Sequence, residues 1–145
     1  MRHHLLGFSC MFLALAGVPG CDNDPTEASV VNDVPDATIE KTWFRSTLFA
    51  GPLETGQTSQ TLRVGTGVEH AFAIVRINEH VFLARTNEPV DAREAETTRI
   101  VFSPATARSI CFGEPRLSAE EQADIAARIF PGEELAIAAS DCGSP

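Results

Sequence analysis

Two apolar stretches separated by two residues constrain the fold of this chain more than any other feature. Residues 70–77 and 80–86 are rich in β-branched and aromatic side chains and flank Asn78-Glu79, which predicts a β-hairpin. Pairing Ile77 with His80 puts Arg76 opposite Val81 and Phe72 opposite Arg85. One face of the hairpin then carries Ala71, Ala73, Val75, Ile77, His80, Phe82 and Ala84, and the other Phe72, Ile74, Val81 and Leu83. Both faces are largely apolar, so the hairpin belongs at the centre of a sheet covered on two sides.

Shorter runs with the same chemistry surround it. Residues 42–49, 60–64 and 97–102 are predicted strands, punctuated by Gly51-Pro52, Thr55-Gly56, Gly65-Thr66-Gly67 and Ser103-Pro104. Residues 109–112 and 135–139 are expected to add two more. One helix interrupts this pattern. Ser118-Ala119-Glu120-Glu121 is a capping box, and Pro131-Gly132 stops the helix it starts. Glu120, Glu121, Asp124 and Arg128 gather on one narrow face, with Ala119, Gln122, Ala123, Ile125, Ala126, Ile129 and Phe130 on the remainder. The only large surface available to bury that remainder is the sheet. The expected fold is a β-rich α+β domain: a compact antiparallel sheet or sandwich with one C-terminal helix packed on it, spanning residues 41–145.

The chain begins with a different composition. Residues 5–16 are apolar apart from Ser9, follow a short basic start, and give way to small residues before Cys21. This is the layout of a secretory leader, and twelve residues are too few to cross a bilayer core of about 30 Å. Val18-Pro19-Gly20-Cys21 resembles the lipobox of bacterial lipoproteins, with Val18 and Pro19 in place of the commoner Leu and small residue. The resemblance implies removal of residues 1–20 and attachment of lipid to Cys21. More than one acyl chain at that position suffices for stable anchoring. Asp22 resembles the inner-membrane retention signal of some lipoproteins. A competing cut after Ala14-Leu15-Ala16 would release a soluble protein that keeps Cys21 as a thiol.

Cysteine parity separates the two. Cys10 leaves with the leader on either reading; lipid on Cys21 then leaves Cys111 and Cys142, which can pair, whereas a soluble product has an odd thiol. In an exported protein Cys111 and Cys142 are expected to form a disulfide that brackets the helix. Between Cys21 and residue 40, acids and prolines dominate and no base occurs, so residues 21–40 are expected to be a flexible acidic tether. Ala28 to Val31 is its one apolar break and a candidate edge strand.

Charge narrows the partners. The chain carries a net charge of −9 and loses only Arg2 with the leader, so phosphate backbones repel it and nucleic acid is not an expected partner. Tyr is absent and Trp43 is the sole Trp, which gives little support to a carbohydrate module.

Candidate chemistry is sparse. Glu69-His70 and Glu79-His80 offer two imidazoles and two carboxylates, but the hairpin register puts His70 at the open end and His80 beside the turn, on opposite faces. No serine lies in G-x-S-x-G or S-x-x-K, and Gly65-Thr66-Gly67 runs into a strand, where a phosphate loop would open a helix. No catalytic residue, metal site or cofactor is expected. These features describe a lipid-anchored cell-envelope protein, facing the periplasm or the outside, that acts as a non-catalytic module binding an envelope protein. The alternatives are a small envelope hydrolase using His70 or His80, and a structural lipoprotein without a discrete ligand.

Overall fold

The computed structural model describes residues 24–142. In chain order the strands are β1 (Glu27–Asn32), β2 (Ala37–Phe44), β3 (Thr47–Leu53), β4 (Leu62–Arg63) and β5 (Gly67–Glu69). They continue as β6 (Phe72–Ile77), β7 (His80–Thr86), β8 (Val90–Ala92), β9 (Thr97–Phe102) and β10 (Ala107–Arg108). The helix α1 (Ala119–Ile129) follows, and a 3-10 turn (Ala139–Cys142) closes the described chain.

The hairpin β6–β7 forms in the expected register, from Ile77 opposite His80 to Phe72 opposite Arg85. It occupies the middle of a five-stranded sheet ordered β10-β7-β6-β2-β3, antiparallel throughout. A second sheet, β4-β1-β9, covers one face, and the pair β5–β8 stands beside it. The face carrying Ala73, Val75, Phe82 and Ala84 is buried, and all of these but Phe82 join one core with Val30, Phe44, Ile100 and Phe102. The opposite face meets α1: Ile74 and Leu83 pack with Ile125 and Phe130. The two-sided burial read from the hairpin is therefore a three-layer arrangement of sheet, sheet and helix.

The helix begins where its capping box dictates. Ser118 Oγ accepts from the Glu121 N–H at 3.1 Å, and the Glu121 carboxylate accepts from the Ser118 N–H at 2.9 Å. Its buried stripe is narrower than the apolar positions suggested: Gln122, Ile125 and Ala126 are buried, whereas Ala119 and Ala123 are exposed. Cys111 and Cys142 are bonded, with Cα atoms 5.5 Å apart, and tie the end of the chain to the segment before the helix.

Several expectations are corrected. The tether does not extend over residues 21–40, and the domain starts well before residue 41. β1 pairs in parallel with β9 along its full length, Ala28 and Val30 are fully buried, and β1 is the middle strand of its sheet. The short apolar run buries completely because β4 and β9 flank it on both sides. Asp33 and Asp36 lie in the connection to β2, where Asn32 donates to the Ala37 and Leu53 carbonyls and accepts from the Val34 N–H, closing the tight turn. β1–β9 is also the one parallel pairing in a fold expected to be antiparallel.

The strand expected over 135–139 is absent. Ala136 donates one backbone bond to the Val81 carbonyl at 2.8 Å, and the chain then turns. The next site on that edge of β7 is taken by Gln122, fully buried, which accepts from the Leu83 N–H at 3.1 Å and donates to the Ala136 carbonyl at 3.2 Å. A side chain from α1 thus satisfies an edge that a strand would otherwise fill. The strand expected over 109–112 is likewise replaced: pairing stops at Arg108, and the Ser109 hydroxyl accepts from the Cys111 and Phe112 N–H groups to make a turn.

Candidate functional site

The histidines do not converge. His70 Nδ1 lies 2.9 Å from the Thr86 carbonyl, beside the open end of the β6–β7 hairpin, and His80 is exposed beside the turn at the other end. Among the described residues no three His, Cys, Asp or Glu side chains gather closely enough to hold a metal ion. An open hollow of about 480 Å³ lies between Asn87, Pro89, Arg99 and Val101, and no histidine lines it. None lines the hollows beside Pro52 and Phe130 either.

The Gly65-Thr66-Gly67 turn has an occupant from its own chain. Arg45 stands at the β2–β3 turn with φ 47° and lays its guanidinium across these residues. Nη2 donates to the Thr66 carbonyl at 2.8 Å, and Nη1 pairs with Glu69 at 3.3 Å. A Cβ on Gly67 would stand 3.0 Å from the Arg45 Cζ and would push the guanidinium aside by a few tenths of an ångström, while the φ of 140° favours glycine on its own account. The turn binds an arginine and leaves no cradle for a phosphate.

The most distinctive surface lies on the helix side of the large sheet. Antiparallel partners share a face, so the register aligns Leu48, Trp43, Phe72, Arg85 and Arg108 in one row across all five strands. Leu48 is 50% exposed, and Trp43 and Phe72 are half-buried at the border of the helix cluster. Arg85 and Arg108 are directly opposite each other, an unfavourable placement for two like charges. Among the described residues neither forms an ion pair, and the Nε atom of each is buried without a hydrogen-bond partner.

The first turn of α1 completes the row. Burial, and then the charge of Arg108, lower the pKa of the Arg85 guanidinium, while Glu121 acts in the opposite direction. Glu121 is itself held below the usual carboxylate range, chiefly by the Ser118 backbone and side-chain hydrogen bonds, with Arg85 and Arg108 adding to the effect. One carboxylate therefore faces two guanidiniums, and the row keeps a positive excess on an acidic protein. It presents aromatic and aliphatic surface at one end and two guanidiniums at the other.

Sequence reasoning found part of this row. The hairpin register alone places Phe72 opposite Arg85. Adding Trp43, Leu48 and Arg108 requires the strand order, which no local signal supplies. Cys21 lies outside the described residues. No protein-family model, no curated protein and no solved structure matches this chain.

Proposed function

We propose that this is a lipid-anchored cell-envelope protein, tethered through Cys21, whose domain works as a non-catalytic binding module. The anchor rests on the apolar run that ends in Gly20-Cys21 and on the pairing of the remaining cysteines. The binding role rests on one observation above the others: the one row that spans the large sheet combines half-buried aromatics with two arginines that form no ion pair and whose Nε atoms have no hydrogen-bond partner. The histidines that a hydrolase would need are occupied or remote. His70 is engaged with a backbone carbonyl of its own hairpin, and His80 sits at the opposite end.

The test is made on the full-length protein purified from membranes in detergent. Ester and peptide hydrolysis and metal content are measured for wild type, His70→Gln and His80→Gln. The expected result is no histidine-dependent turnover and no histidine-dependent metal. Turnover that disappears in either variant would replace this reading with the hydrolase.

A further inference from the structure

With lipid on Cys21, the start of β1 fixes which end of the domain meets the bilayer. Glu27 follows Cys21 by six residues, a span of at most roughly 20 Å even when fully extended. A domain of this size is about 35 Å across, so the leash is shorter than the domain it holds. The end at which β1 starts is therefore the end held at the membrane.

Named contacts define that end. The Thr26 and Thr66 hydroxyls meet at 2.9 Å, Thr66 receives Arg45, and Arg63 is the strand partner of Glu27 and accepts from the Thr47 hydroxyl. The β2–β3 turn, β4 and the 65–68 segment thus share the end from which β1 departs. Exposed apolar surface collects here. Of the three large hydrophobic side chains that are exposed among the described residues, two are Leu48 at 50% and Val68 at 61%. Trp43, one residue from the end of β2, and Phe72, the first residue of β6, lead from Leu48 to Arg85 and Arg108.

We propose that this end is a second, peripheral contact with the phospholipid surface, made by Leu48, Val68, Trp43 and Phe72 with Arg85 and Arg108; the proposal rests on the lipid anchor at Cys21. Trp is favoured at the depth of the headgroups, where its ring is apolar and its N–H is wet. A guanidinium pair without partners fits phosphate oxygens, which it can hold by paired hydrogen bonds. The overall acidity of the protein opposes approach to an anionic surface. That repulsion is screened over about 8 Å at physiological salt. The leash supplies the local concentration, so weak local contacts suffice to fix orientation. An acidic protein partner would suit the arginines equally well, but the short leash places phospholipid at this face first.

The sole Trp reports on the row directly. Lipidated full-length protein is reconstituted in phosphatidylethanolamine vesicles, with or without phosphatidylglycerol, and Trp43 emission is compared between ordinary lipids and lipids brominated near the headgroup end of the acyl chains. The mass of the N-terminal peptide is read on the same sample. The expected result is quenching of Trp43 by the brominated lipids, stronger with phosphatidylglycerol. Arg85→Gln with Arg108→Gln should weaken the contact roughly 25-fold, at about a fivefold effect per arginine. Leu48→Ser with Val68→Ser, at exposed positions that leave the core intact, should reduce quenching as well. Unquenched Trp43 in protein whose Cys21 carries lipid would overturn this contact while the anchor stands, and would leave the row to an acidic protein. A Cys21 peptide without lipid would overturn both.

Discussion

Replacing Gln122 with Leu tests whether the helix is joined to the sheet by polar bonds as well as by packing. Gln122 is fully buried and serves two backbone groups, the Leu83 N–H and the Ala136 carbonyl. Leucine fills a similar volume but leaves both without partners. An orphaned buried N–H costs about 1–3 kcal/mol, and the partly buried carbonyl costs less because water can reach it. Extra apolar burial offsets about 1 kcal/mol of this. The net loss is about 2 kcal/mol, which lowers the melting temperature by roughly 6–12 °C in a domain of this size. Gln122→Glu keeps the acceptor for Leu83 but, once ionised, has no donor for the Ala136 carbonyl. Burial should raise the pKa of that carboxyl, so the variant should be most stable in acid and lose stability as pH rises from the ordinary Glu range through the raised value. Urea unfolding followed by Trp43 fluorescence, with the disulfide intact, measures each loss, and amide exchange at Leu83 reports the bond itself. A Gln122→Leu protein within about 0.5 kcal/mol of wild type, with Leu83 still protected, would refute the reasoning.

Three further outcomes concern the ends of the helix segment. Cys142→Ser opens a loop with a sequence separation of 31 and should cost about 3–4 kcal/mol in the chain-entropy model; reductant should lower the wild-type urea midpoint by the same amount and leave the variant unchanged. Ser118→Ala removes the cap and should cost about 1 kcal/mol in the same unfolding assay. The folded-state pKa of Glu121 is lowered, so its contribution is complete above the ordinary Glu range and is lost as pH falls through the lowered value. Glu121→Gln should therefore flatten that acid limb, and an unchanged limb would count against the capping box.

What was legible in the sequence was local. The Asn78-Glu79 turn and the alternation around it set the register from Phe72–Arg85 to Ile77–His80, because a slip by one residue would exchange the two faces. Ser118 and Glu121 marked the helix start through bonds three residues apart. Ala28 to Val31 reads as a candidate edge strand, but its central place is not legible, because its apolar core is only four residues long between acids and prolines and its partner β9 lies seventy positions along the chain. The 135–139 segment has strand composition, yet the edge it would pair with is held by Gln122, a choice made by packing of the helix. The Leu48–Arg108 row shares that character. Each member is ordinary in its own strand, and only the order β10-β7-β6-β2-β3 brings them together.

The reading of function depends on Cys21, and the N-terminal peptide of the mature protein tests it most directly. Mass spectrometry of protein isolated from its native membrane should find that peptide beginning at Cys21 and carrying a diacylglyceryl group and an amide-linked acyl chain, both absent in Cys21→Ser. A peptide beginning at Gly17, with Cys21 unmodified, would contradict the account.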